Sequence, residues 1–203
     1  MLPPSSPWTK ADAEYAIPSR QGVSDMTPHS DPAPSLAPGV APARDADTHG
    51  FVFNHTMLRV KDARASLDFY TRVLGFSLVR QVHFQEAKFS LYFLVLLDGS
   101  ESIPQDDAGR KTWLARQRGV LELTHNHGTE AQDGPVYHDG NSEPRGFGHL
   151  CVSVPDVVAA CERFERLGVT FQKRLSDGRM REIAFIKDPD GYWVEIIQPT
   201  PLG

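Results

Sequence analysis

Cysteine is nearly absent: of 203 residues only Cys151 and Cys161 carry a thiol. Two thiols cannot build a disulfide framework, so a disulfide-stapled secreted scaffold is excluded and a reducing, cytoplasmic setting is expected. Cys151 falls in a strand-like run and Cys161 on a helical face, so both are expected as buried, reduced thiols. Excess positive charge is also missing. Lys and Arg number 21 against 26 Asp and Glu, a formal net charge of −5, which gives no general attraction for nucleic acid or an anionic membrane. No apolar run approaches the roughly 20 residues of a membrane span. Residues 1–48 have little apolar periodicity and hold nine of the sixteen prolines. Such a segment buries too little to offset its ordering entropy and is expected to be a flexible arm, with His29 and His49 solvated on it. It has no apolar h-region, so no secretory signal is expected. Met26 offers an alternative start.

What is present from residue 49 onward is ordinary globular material. Over the whole chain 40% of residues are hydrophobic and 23% charged, enough to build a core. Phe51 to Val60 reads as a strand. Asp62 is a natural helix cap, followed by Leu67, Tyr70 and Leu74 at helical spacing, with Gly75 where a left-handed cap would fall. Phe76 to Val82 and Phe89 to Leu97 read as strands, Asp98 to Lys111 as a polar excursion, and Val120 to Thr124 as another strand. His125 to Gly148 is too rich in Gly and Asp for regular structure. The pattern then restarts: His149 opens a strand, Asp156 caps a helix ending at Leu167-Gly168, and strands are expected at 169–173, 183–186 and 192–197. Asp188-Pro189-Asp190-Gly191 is a tight turn.

The two halves repeat in register. His55 precedes Asp62 by seven residues, as His149 precedes Asp156. Both helices end in Leu-Gly, and both halves close on an apolar-Glu-apolar triplet, around Glu122 and Glu195. The fold class is therefore α+β, two paired βαβββ modules: residues 49–126 form the N-terminal module, 127–148 a polar linker and 149–203 the C-terminal module. Singly, a strand-opening His is usually a hydrogen-bonded surface residue and a Glu between aliphatics an outward strand side chain. Two His and two Glu at equivalent places in two repeats point instead to a divalent cation held by imidazole and carboxylate. His83, His125, His127 and His138 have no repeat partners and are set aside.

A second group is cationic. Arg59 lies four residues beyond His55 and so on the same strand face; Arg145 lies four before His149; Lys173, Arg174, Arg179 and Arg181 cluster in the second half. Cations gathered near a metal site in an acidic chain point to a small anionic substrate.

These stretches resemble a known family. Phe69 to Gly75, Lys88 to Leu94, Leu121 to Asn126, Gly140 to His149 and Asp188 to Ile196 closely resemble glyoxalase I, the lactoylglutathione lyases of the vicinal-oxygen-chelate superfamily. The resemblance covers about residues 50–199. It implies isomerisation of the methylglyoxal–glutathione hemithioacetal to S-lactoylglutathione through an enediolate, with methylglyoxal detoxified. It implies metal ligands at His55, Glu122, His149 and Glu195. The metal acts as a Lewis acid; Glu195 is the principal base and Glu122 serves the opposite face. Glutathione contacts carry over to Arg59, Asn126, Arg145, Lys173 and Arg179, and an apolar pocket to Phe84, Leu91, Phe93, Met180, Ile183 and Phe185. Ala87 departs from the bulkier residue the family places there. The family is a homodimer whose site forms between chains. The insertion at about Ser100 to Trp113 points to zinc, His55 to the nickel- or cobalt-dependent bacterial type; zinc is expected. Dioxygenases and fosfomycin thiol transferases of the superfamily use two His and one Glu, so Glu122 argues against them. A metal-free drug-binding protein needs no four ligands in register.

Overall fold

A computed structural model describes residues 38–199. The chain divides into a unit ending at His49 and a second unit from Gly50. The flexible arm expected over 1–48 falls mostly on residues outside the described range, His29 among them. Within that range the first unit holds one 3₁₀ turn, Ala46–Thr48, capped by Asp45 accepting from the Asp47 N–H.

The second unit is built from two βαβββ modules. The first contains β1 (His55–Val60), α1 (Ala63–Asp68), β2 (Ser77–Phe84), β3 (Phe89–Val95), α2 (Asp107–Leu114) and β4 (Val120–Asn126). The second contains β5 (His149–Ser153), α3 (Val157–Arg166), β6 (Phe171–Lys173), β7 (Ala184–Lys187) and β8 (Trp193–Ile197). The sheets share one order, β1-β4-β3-β2 and β5-β8-β7-β6. In each, the first strand pairs parallel with the last, and the other pairs are antiparallel.

The helix signals act as expected. Asp62 Oδ1 accepts from the Arg64 and Ala65 N–H groups, and Asp156 Oδ1 from the Ala159 N–H. Gly75 and Gly168 adopt φ of 82° and 71°. After α3 the Gly168 and Val169 N–H groups return to the Glu165 and Phe164 carbonyls, closing a left-handed helix end. A π-helical turn, Phe69–Val73, extends α1.

Three expectations need correction. Residues 51–54 are not strand; β1 begins only at His55, where Val120 first lies beside it. The polar excursion contains a helix, α2, capped by Asp106, whose carboxylate accepts from the Gly109 N–H. Its apolar residues are few, but Trp113 and Leu114 pack with Val79, Val95 and Val120 in a second small core. The stretch His125 to Gly148, expected to lack regular structure, contributes the last two residues of β4, His125 and Asn126, and a 3₁₀ turn, Thr129–Ala131.

The main core runs through both modules and includes Leu58, Val60, Tyr70, Leu94 and Leu123 with Val157, Phe164, Ile186, Val194 and Ile196. Arg163 of α3 donates to the Arg72 and Val73 carbonyls. The Asp188–Gly191 stretch is the tight turn expected, the Gly191 N–H returning to the Asp188 carbonyl at 3.0 Å, and its two carboxylates also make a polar junction with the first module. Asp188, 5% exposed, accepts from the Tyr70 hydroxyl at 2.9 Å. Asp190 accepts from the Lys61 N–H and the Ser66 hydroxyl. Among the described residues no helix is long and apolar enough to cross a membrane.

Candidate active site

Each sheet buries one face against helices and leaves the other open. Alternation along β1 sends Leu58 and Val60 into the core and His55, Met57 and Arg59 to the open face. Parallel register sets Met57 beside Glu122, and antiparallel register sets Phe93 on its other side. The second sheet repeats that row as Cys151, Glu195 and Phe185. In each module the His two residues earlier reaches the Glu. His55 Nε2 lies 3.3 Å from Glu122 Oε2, and His149 Nε2 lies 3.3 Å from Glu195 Oε2.

An imidazole nitrogen and a carboxylate oxygen are donors that zinc, nickel or cobalt accept, and an ion can span a 3.3 Å edge with bonds of about 2.1 Å to each. The donor chemistry fits a divalent cation. The four donors form two pairs: among the described residues no group of three or more His, Cys, Asp or Glu side chains stands ready to hold an ion.

The expected substrate residues share these open faces. Leu91 and Phe93 are half-buried on the Glu122 face, with Phe84 at their edge stacked on Phe89 at 4.5 Å. Phe185 packs edge-on to His149, Ile183 precedes β7, and Met180 is exposed. A cavity of about 280 Å³ at the β1 and β5 edges is lined by Thr56, Tyr70, Phe147, His149 and Cys151. It reaches one of the four donors and none of the six expected apolar residues.

Arg59 and Arg179 have no hydrogen-bond or ion-pair partner among the described residues. Arg145 pairs with Glu143 at 3.0 Å on an exposed loop, a contact easily exchanged. Asn126 donates to the Tyr137 hydroxyl at 2.9 Å. Lys173 differs: its ammonium donates to the Arg174, Met180 and Ile183 carbonyls. All three donors are engaged, so it holds the loop that carries Arg179 and Met180.

Sequence reasoning missed several neighbours. Cys161 is buried as expected, but Cys151 is exposed because odd positions of β5 face the open side. It lies beside Glu195 in register, and partial burial together with that carboxylate pushes the thiol up to about 11. The Trp193 indole N–H, opposite His149 in register, is buried with no acceptor among the described residues. Asn54 accepts from His55 Nδ1 at 2.9 Å. His83, Ser90 and His127 form a hydrogen-bonded chain on the other face of the first sheet. The period-2 pattern could have exposed Cys151; nothing local distinguishes Asn54.

Twin βαβββ modules that each present a His–Glu pair on an open sheet face define a protein of the vicinal-oxygen-chelate fold. Residues 52–196 match the Glyoxalase/Bleomycin resistance protein/Dioxygenase superfamily. The chain is 70% identical over 165 residues to the lactoylglutathione lyase of Pseudomonas putida, covering 81% of this chain and 95% of that one. It is 58% identical over 168 residues to that of Pseudomonas aeruginosa, covering 83% and 94%. The solved trypanothione-dependent glyoxalase I of Leishmania major superposes with a TM-score of 0.52 at 29% identity, over 72% of this chain and 85% of that one. The chain belongs to the glyoxalase I family of this superfamily.

Proposed function

We propose that the protein is a lactoylglutathione lyase, converting the methylglyoxal–glutathione hemithioacetal to S-lactoylglutathione and so detoxifying methylglyoxal. The observation that carries the reading is the pair of equivalent His–Glu edges at 3.3 Å. Family membership narrows it to this reaction.

His55, Glu122, His149 and Glu195 would hold the metal. When bound, a divalent cation supplies Lewis-acid stabilisation of negative charge on the substrate oxygens. Glu195 takes the proton from the hydroxyl-bearing carbon and returns it to the neighbouring carbonyl carbon, while the hydroxyl proton passes to the neighbouring oxygen; no atom is gained or lost. Cys151 flanks Glu195 in register on the open face. Glu122 faces the substrate from the other module. Arg59, Arg145 and Arg179 bind the glutathione carboxylates, with Asn126 at the γ-glutamyl end, and Lys173 holds the Arg179 loop. Phe84, Leu91, Phe93, Met180, Ile183 and Phe185 exclude water from the reacting carbons, which protects the proton in transit.

The working site forms between two chains of a homodimer, the first module of one facing the second module of its partner. Two separated half-sites and apolar open faces, with Met57 39% and Phe84 41% exposed, support this arrangement. The metal is zinc. The test removes metal with chelator and follows S-lactoylglutathione formation as Zn, Ni, Co and Mg are added singly. Zinc should restore the most activity. Greatest activity with nickel overturns the metal assignment, and none with any metal overturns the reaction.

A further inference from the structure

We infer that Asn54 is a positioning residue that fixes the tautomer and orientation of His55, anchored on the C-terminal end of the inserted helix α2. The inference rests on the reading of His55 as a metal ligand. Asn54 Nδ2 donates to the Leu114 carbonyl at 2.8 Å and the Gln117 carbonyl at 3.0 Å. Only an amide NH₂ can satisfy two carbonyls, so Oδ1 must face the His55 ring, 2.9 Å from Nδ1. An amide oxygen only accepts, so the His55 proton sits on Nδ1. In the neutral ring, the form that can bind a metal, Nε2 is then a bare lone pair, directed at the Glu122 carboxylate 3.3 Å away. Two electron-rich atoms face each other, which is the arrangement a cation needs.

The support is rigid. The Leu114 carbonyl at the helix end accepts from the Gln117 N–H at 3.1 Å and takes Asn54 as a second donor on its other lone pair; the Gln117 carbonyl, three residues beyond the helix, takes the other amide hydrogen. Helix α2 is tied down by Arg80, whose guanidinium grips Asp107 through two bonds of 2.9 and 3.0 Å. Trp113 and Leu114 pack into the smaller core. The Asn54 main chain is fixed too, its carbonyl accepting from the Val120 N–H at 3.0 Å. The second module has no counterpart: β7 and β8 are joined by the Asp188–Gly191 turn, and His149 Nδ1 has no partner among the described residues. The insertion therefore gives the first His an orienting partner that the second lacks. Partners that orient a ligating imidazole in this way typically contribute 10- to 100-fold in metal affinity.

The test uses the full chain, first metal-free. Two-bond ¹H–¹⁵N correlation of the imidazole, with the His55 signal assigned through His55→Gln, should show the proton on Nδ1. A wild-type proton on Nε2 overturns the inference whatever any variant does. Asn54→Leu, similar in size but unable to accept or donate, should move the proton population toward Nε2 and weaken zinc affinity about 10- to 100-fold in chelator competition. KM at saturating zinc should stay near wild type. An unchanged tautomer, or affinity within about twofold of wild type, overturns the inference. If His55→Ala, which leaves no donor atom, itself keeps full zinc affinity, the ligand assignment fails instead; if it loses affinity while Asn54→Leu does not, only the Asn54 role fails.

Discussion

At the scale of single residues, two carboxylates show how environment decides role. Glu195 sits on an open sheet face, 3.3 Å from an imidazole and beside the Cys151 side chain. Glu195→Gln preserves size and one oxygen but cannot take a proton. Turnover should fall by at least about 100-fold, the usual contribution of a positioned general base, while much of the zinc binding survives; near-normal turnover would move the base elsewhere. Asp188 is buried. Burial pushes it from the ordinary 3.8 up to about 7, with the Asp190 carboxylate adding to the shift, against hydrogen bonds from Tyr70, Tyr192 and Asp190. Because the folded value is the higher one, the native state holds a proton that the unfolded chain gives up between about pH 4 and 7. This group's contribution is complete below that window and lost as pH rises through it. Asp188→Asn keeps an oxygen for the Asp190 and Tyr192 N–H groups but carries no charge. Denaturant unfolding of the metal-free protein should show a flatter decline in stability from pH 5 to 8 for this variant than for wild type. An identical slope would mean Asp188 does not titrate in the fold.

At the scale of elements, the loop between the modules is held by backbone geometry. Gly140 has φ of 88°, and a Cβ there would lie 1.9 Å from the Phe147 carbonyl oxygen. The Gly146 N–H returns to the Gly140 carbonyl, and the Asn141 amide donates to the Gly148 carbonyl. The closed loop presents Arg145 and delivers His149 to β5. Gly140→Ala adds a left-handed alanine, about 1–3 kcal/mol of backbone strain, and a contact that only loop movement relieves. The thermal midpoint should drop and KM for the hemithioacetal rise more than kcat falls; unchanged KM would detach the loop from substrate binding. Elements with strong local signals were legible: both Asp caps, both Leu-Gly helix ends and the β strands bearing His55, Glu122, His149 and Glu195. Helix α2 was not, because its few apolar residues show no stripe and its stability comes from Trp113 and Leu114 finding β2, β3 and β4. The Asp188–Gly191 turn was legible, but its junction was not: its partners Tyr70, Ser66 and Lys61 lie more than a hundred residues away.

At the scale of the whole molecule, the internal repeat made the four donors legible but not their grouping, since His–Glu register is a property of each sheet alone. The folded chain brings them together two by two. If the first module of one chain completes its site with the second module of its partner, defects in different modules must complement. A chain carrying Glu122→Ala is spoiled in its first module, and one carrying Glu195→Ala in its second. Each homodimer has one lesion in both of its sites. A mixed dimer gathers both lesions into one site and leaves the other intact. Unfolding the two inactive variants together and refolding them should therefore restore activity, to about one quarter of wild type when subunits pair at random, since about half of the dimers are mixed and each has one good site of two. Refolding either variant alone should restore none. Sites built within single chains predict no recovery in the mixture, so this one measurement separates the two assemblies.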